Sequence, residues 1–207
     1  MCRLTQRKAQ TKRRTKLARY LMKLQGPGTA WDATGLAWTE SGGEIIFVET
    51  TRMMGAERLI LTGYLGKIMK ESAQAALSYI RSHTEQLGLA ADFLQGRDIH
   101  VHVPSGAIPK DGPSAGMIIA VALTSLLKEI PCPRDTAMTG EVTLSGRSLP
   151  VGGIREKLLA AKTAGIKTII FPAKKQAEIS AMDDSLKQEI KIFTAGELDD
   201  VIRQVLG

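Results

Sequence analysis

The sequence predicts a mixed fold of the α+β or α/β class, and three observations carry that reading. Apolar runs of strand length recur at 35–65, at 98–103 and at 168–173. Segments with helical spacing alternate with them. The chain has no internal repeat and no low-complexity tract beyond its basic N-terminal arm, so the elements form one unit. At 207 residues it suits one medium domain, or one domain plus an appendage, with room for a hydrophobic core. Its 43% hydrophobic and 24% charged content is ordinary for a soluble globular protein. No apolar run approaches the ~20 residues that span a bilayer, so no membrane partner is expected.

Residues 1–25 form the arm, with helical character around "RRTKLARYLMKLQ". Nine Lys or Arg and no acid fall between Met1 and Lys23, so removing them takes the formal charge from +7 to −2. The positive charge therefore belongs to the arm and not to the globular part. Such an arm leaves nucleic acid or an acidic surface open as a partner, against the plainer reading of a solvated segment or linker remnant. It lacks the Ser-rich amphipathic pattern of an organellar targeting peptide. "GPGTAWDATG" (26–35) reads as a linker, which divides the chain into an arm and linker at 1–32 and a domain at 33–207. Cys2 and Cys132 are the only cysteines, which fits a reducing cytosolic setting and gives no zinc spacing.

Strand-like runs follow at 35–40, 44–50 and 58–65, separated by "SGG" and "RMMGAE", and suggest an antiparallel meander. A helix is expected over 67–87, with Ile68, Ala75, Leu77 and Ile80 on its apolar stripe and Gly88 closing it. A strand is expected at 98–103, then a buried helix from Ser114 to about "KEIPCPR". "AMTGEVTLSGRSLPVGG" reads as a hairpin and "IREKLLAAKTAGIK" as a helix capped by Gly165. Strand 168–173, a helix, strand "KIFTA" and helix "ELDDVIRQVL" complete the chain.

Two suggestive patterns fail. "GYLGKI" (63–68) has its first glycine too close to Lys67 for a P-loop, and Ile68 stands where the magnesium-binding hydroxyl belongs. His100 and His102 share one strand face, but no third ligand of suitable type is evident. A packed or surface pair is the favoured reading, and no metal is expected.

The segment "PKDGPSAG" (109–116) runs into "MIIAVALTSLL". Pro113 suits a first helical position, with Asp111 or Gly112 as the cap. Ser114 then falls in the first turn, where N–H groups lack intrahelical partners and the dipole is positive, a place that holds an oxyanion. Ala115 and Gly116 leave room for a substrate backbone. A nucleophilic serine needs a base. His83 lies mid-helix, and His100 and His102 are locked in a strand, so a Ser-His-Asp triad has no support in the sequence. Lys157 has Ile154, Ala160 and Ala161 as helical neighbours, so it projects from a core-facing stripe where burial lowers an amine pKa. A Ser114–Lys157 dyad is thus a candidate, beside an ordinary first-turn serine and a snorkelling lysine.

"HVHVPSGAIPKDGPSAG", "AMTGEVTLSGRSLPVGGIREKLLAAKTAGIKTIIFP" and "GLAWTESGGEIIFVET" resemble the proteolytic domain of the Lon family, ATP-dependent serine proteases, in its bacterial and mitochondrial type. The resemblance covers roughly 33–207. It implies the ribosomal protein S5 domain 2-like fold, mixed sheets with packed helices. It implies Ser114 as nucleophile, Lys157 as general base and the Ser114 N–H as an oxyanion donor. Thr139 would orient the Lys157 amine, Asp111, Gly112 and Pro113 would form a gating loop, and Trp38, Thr39 and Glu40 would line the substrate groove. It further implies unfolded protein or peptide substrates, a homo-hexameric ring, a bacterial cytoplasmic setting and an AAA+ module outside this chain that alone carries ATP and magnesium. Ser105 departs from the glutamate common in the family. The rival reading is a non-catalytic module that binds nucleic acid or a partner through the basic arm.

Overall fold

The computed structural model describes residues 31–40, 42–104 and 110–207; the basic arm and Ser105 lie outside them. Strand β1 (Trp31–Thr39) begins inside the stretch read as a linker. The reason is its partner: β2 (Gly42–Met54) is long enough to pair antiparallel with all of β1, from Trp31 opposite Thr50 to Thr39 opposite Gly42. Thr50 Oγ1 closes the start of β1 by donating to the Trp31 carbonyl at 2.8 Å.

The second half of β2 pairs antiparallel with β4 (Arg97–His102). β3 (Leu59–Thr62) runs parallel to β4 at the sheet edge. The expected three-strand meander is therefore half right, because β4 comes between β2 and β3. The short loop after β2 steps across β4, and Asp98 organises it. That carboxylate accepts the N–H groups of Ala56 and Arg58 at 2.8 and 2.9 Å and the Arg58 guanidinium at 2.8 Å. Gly55 passes so close that a Cβ there would lie 2.2 Å from the Asp98 carboxyl carbon.

The expected long helix is α1 (Lys67–Ser82) followed by a separate turn, α2 (Thr84–Leu87), with the break at His83. The His83 ring stacks on Tyr79 at 4.1 Å and its Nδ1 meets the Tyr79 carbonyl, which stops propagation. Gly88 closes the pair in the left-handed conformation at φ 66°. The buried stripe is Met69, Ala73, Ala76, Leu77 and Ile80, with Ile68 exposed and Ala75 only half-buried. Helix α3 (Gly116–Lys128) is buried along nearly its whole length.

β5 (Thr136–Met138) and β8 (Thr168–Pro172) extend the sheet in parallel from β1, and β9 (Lys191–Ala195) ends it. The order is β3-β4-β2-β1-β5-β8-β9, with β6 (Glu141–Val142) and β7 (Ser148–Leu149) a separate hairpin, as expected. Helix α4 (Ile154–Ala164) ends on Gly165 at φ 84°. Two short helices, α5 (Gln176–Ser180) and α6 (Asp184–Lys187), precede β9, and α7 (Leu198–Leu206) closes the chain.

Alternation along the strands feeds two cores. Ala33, Ile46, Val48, Ile99, Met138 and Ile170 face α1, α3 and α7, while Leu36, Ala137, Ile169 and Phe171 face α4. Helices on both sides of a largely parallel half-sheet, with an antiparallel extension, make this a mixed α/β architecture. No helix among the described residues is long and apolar enough to cross a membrane.

Asp98 gives a test of the β4–β3 edge. Hydrogen bonding from Arg58 holds its carboxyl below the ordinary range. A depressed carboxyl stabilises the fold above its unfolded pKa and loses that contribution as pH falls through the folded value. Asp98→Asn should lower the urea midpoint at pH 7. The gap to wild type should close below about pH 4, read from parallel unfolding curves.

Candidate active site

The segment holding Ser114 opens as a single 3-10 turn, Pro113–Ala115, before α3 begins at Gly116. Pro113 occupies the first position, as its preset φ favours. Gly112 is the cap at φ 142°, a conformation that side chains avoid. Asp111 does something else. Its Oδ1 accepts the N–H groups of Met69 and Gly112, both at 3.0 Å. Met69 lies in the first turn of α1, whose own cap, Gly66, has no side chain to offer. Asp111 therefore caps α1 from outside. Lys110 pairs with the chain on both sides of Leu65, its N–H to Tyr64 and its carbonyl to Gly66. The approach to Ser114 is thus stitched to the start of α1.

The other side of the turn is tied to the end of β5. The Ser114 carbonyl accepts the Gly140 N–H at 3.1 Å, and the Met117 N–H donates to the Gly140 carbonyl at 3.0 Å. The packing is close: a Cβ on Gly140 would stand 2.5 Å from Met117 Cε, so the Met117 side chain would have to shift. Thr139, the preceding residue, is buried, and its N–H donates to Ile170 of β8 at 3.2 Å.

Lys157 lies one turn into α4 and is 1% exposed. Its Nζ donates to Thr139 Oγ1 at 2.9 Å. Burial pushes this amine down to about 8, with a smaller contribution from the positive charge of Lys175. A buried amine in that range carries about a tenth of its population as free base at pH 7. Among the described residues no hydrogen bond joins Lys157 to the Ser114 hydroxyl; both groups attach to the Thr139–Gly140 step, one through a side chain and one through the backbone. That step is what brings Ser114, Thr139 and Lys157 to one place.

The hairpin end of β1 and β2 sets α4 in position. Gly153, the α4 cap at φ 68°, lies under Trp38, whose Cγ would be 2.5 Å from a Cβ at that residue. A Cβ on Gly43 would strike the Glu156 carbonyl at 2.0 Å. Trp38 stays 54% exposed while covering Gly153. Thr39 Oγ1 donates to the Gly42 carbonyl at 3.3 Å, and Glu40 is exposed. Trp38 thus flanks the start of α4, and none of the three hydrogen-bonds to Lys157 or Thr139.

Lys175 was not foreseen. It follows β8 in the 3-10 turn Ala173–Lys175 and pairs with Glu178 at 2.7 Å. In the sequence it is one of a polar pair of lysines, and only the parallel pairing of β5 with β8 carries it toward Lys157. The packing glycines 43, 140 and 153 likewise have no local signature of their close contacts. Among the described residues no group of three or more His, Cys, Asp or Glu side chains is set to hold a metal ion.

The family model for the Lon protease C-terminal proteolytic domain matches residues 20–207, starting inside the segment read as arm and linker. The chain is 54% identical over 173 residues to the Lon protease of Geobacter metallireducens, covering 84% of this chain and 21% of that one. It is 55% identical over 175 residues to the Lon protease of Aquifex aeolicus, covering 84% and 22%. The Lon protease of Heliobacterium modesticaldum is 53% identical over 174 residues, again across 84% of this chain and 21% of its own. The chain spans about a fifth of the length of these curated relatives. With all of its described residues inside the family match, the chain belongs to the Lon protease C-terminal proteolytic domain family.

Proposed function

We propose that this chain is the peptide-cleaving part of an ATP-dependent Lon protease, a serine endopeptidase that uses a Ser114–Lys157 dyad. The observation that carries the proposal is the buried Lys157 amine, held on Thr139 Oγ1 at 2.9 Å, one residue from the Gly140 amide that fixes the Ser114 backbone.

Each group has a chemical task. The Ser114 oxygen attacks the scissile carbonyl while its proton passes to Lys157 Nζ, which has a free base to offer because burial disfavours its ammonium form. The Ser114 N–H, at the open start of a helix, donates to the oxyanion. Collapse of the tetrahedral species breaks the C–N bond, and the Lys157 ammonium returns its proton to the leaving amine. Water then attacks the Ser114 ester with Lys157 again as base. Thr139 keeps the amine aimed. Lys175 makes the transient ammonium less favourable and so speeds the proton's return.

In this reading Asp111, Gly112 and Pro113 gate Ser114, the role the resemblance implies, and the Asp111 contact with the Met69 N–H is the tie to α1 that opening would have to break. Trp38, Thr39 and Glu40 line the path of an extended substrate beside the α4 start. The substrates are unfolded or misfolded proteins, delivered by an AAA+ module in the longer protein, which also accounts for the ATP dependence. Six copies enclose the sites in a cytoplasmic ring. Family membership favours this reading over a non-catalytic module that binds through the arm.

Ser114→Ala and Lys157→Ala should each reduce cleavage of a flexible fluorogenic peptide by at least about a thousandfold, with the far-ultraviolet circular dichroism unchanged. Near-normal rates in Lys157→Ala would overturn the dyad. Thr139→Val should lower kcat by about ten- to a hundredfold with KM unchanged, and Thr139→Ser should restore most of it.

The lowered Lys157 pKa has two consequences of known sign. Peptidase activity should rise with pH and reach half its plateau near pH 8. An unfolded lysine binds its proton up to about 10.4, so between the folded and unfolded values the unfolded state holds more protons and stability rises with pH. Lys157→Met should therefore stabilise the fold at pH 7, on the order of 3 kcal/mol, and much less at pH 10, while abolishing activity. Thermal unfolding at the two pH values reads the difference.

A further inference from the structure

His100 and His102 point from the same face of β4, as alternate residues of a strand must. On the sequence they lacked a third partner. The structure supplies a point of convergence: Thr62 Oγ1 of β3 lies 2.8 Å from His100 Nε2 and 2.6 Å from His102 Nδ1. Register explains the geometry, because Thr62 sits directly beside His102 in the parallel β3–β4 pair. On the other side His102 stands opposite Glu49 and His100 opposite Thr51. Thr51 and Thr62 are exposed and both histidines half-buried, so solvent reaches the cluster.

Two imidazole nitrogens aimed at one point are a chelating pair. A hydroxyl has a single proton, so in the Thr62 bridge one imidazole accepts from the oxygen and the other donates to it. If the donating ring carries its proton on the other nitrogen, both lone pairs face inward. Imidazole suits zinc, copper and nickel, and metal–nitrogen bonds of about 2.0–2.1 Å require each ring to move inward by less than about 1 Å once the Thr62 side chain rotates aside. The cross-strand pairs that flank the histidines put no lysine or arginine beside them, and Glu49 adds a negative charge next to His102. Asp98, also on this face, is consumed by Arg58 and two backbone amides. The site therefore has two protein nitrogens and completes its shell with water.

We propose that His100 Nε2 and His102 Nδ1 form a binding site for one divalent transition-metal ion of the zinc, copper and nickel class, at the open edge of the sheet and separate from Ser114 and Lys157. The ion replaces the Thr62 hydroxyl as the bridge between the two rings.

Isothermal titration of ZnCl2 into the full chain, carrying Cys2→Ser and Cys132→Ser to remove thiol donors, reads the site directly. One ion should bind per chain. His100→Asn and His102→Asn should each weaken it by at least about tenfold, and Thr62→Val should retain it. Imidazole signals in a proton–nitrogen correlation spectrum should show His100 and His102 shifting together, with His83 unmoved. The proposal is overturned by an absence of binding, by affinity unchanged in both histidine variants, or by loss of binding in Thr62→Val while the other imidazole signals stay native.

Discussion

The hydrogen bond from Lys157 to Thr139 is the constraint around which the rest of the domain is arranged. An amine taken out of water costs several kcal/mol if it stays charged, and among the described residues Lys157 has one hydroxyl as its hydrogen-bond partner. The fold tolerates this because the same helix buries Ile154, Leu158 and Ala161 against Leu36, Ile169 and Phe171. Each of the larger side chains contributes about 1.5–3 kcal/mol, so the apolar stripe outweighs the amine. The residual cost is expressed as a lowered pKa, with burial its main cause and Lys175 the second. What destabilises the charged lysine is also what makes it a base.

The position of that lysine depends on sheet polarity. β1, β5 and β8 run parallel, so their carboxyl ends share one edge. Trp38 and Thr39 end β1, Thr139 follows β5, and Ala173–Lys175 follow β8. Open α/β sheets place their ligand sites outside the carboxyl ends of strands, and this edge collects the hydroxyl, the second cation and the exposed tryptophan. Glycines allow the remaining elements to close on it. Gly140 admits the first turn of α3, Gly153 admits Trp38, and Gly43 admits the backbone of α4. A side chain at Gly43 or Gly153 would push the start of α4 off the β1–β2 hairpin, and Lys157 with it, with no change in Lys157 itself.

What the sequence disclosed was mostly local. The Lys157 stripe, the Gly88 and Gly165 caps, Pro113 and the β6–β7 hairpin all depend on neighbours within a few residues, and all are present. What stayed hidden depends on distant partners. Trp31 and Asp32 resemble linker residues until β2 pairs with them. Asp111 belongs to the turn before Ser114 by spacing, yet its carboxylate serves α1, over forty residues earlier in the chain. β3 follows β2 in sequence but joins the sheet beyond β4. The apolar stripe of α1 was placed one residue early at Ile68, because Met69 is the residue the core selects. The Ser114–Lys157 pairing was inferred from burial and resemblance. The resemblance also implied the contact of Thr139 with the Lys157 amine; the Gly140 backbone bonds that tie Ser114 to the next residue could not be inferred that way, since they join elements distant in the chain.

The two halves of the sheet have different surroundings, and the boundary between them has its own chemistry. The parallel half is covered on both faces, whereas β2, β4 and β3 expose one face, along which Glu49, Thr51, His100, His102 and Thr62 alternate with core residues. Asp32 of β1 stands at the seam, directly opposite Glu49. Burial, and then the charge of Glu49, raise its carboxyl to about 6, while Arg134 opposes the rise. A deeper seam would hold this carboxyl neutral, and an open one would leave it near 4. The intermediate value is what a half-covered strand edge imposes. Asp32 therefore marks where helix packing on the α4 face gives way to solvent, the same transition that leaves the histidine row of β4 accessible while Lys157 is sealed in.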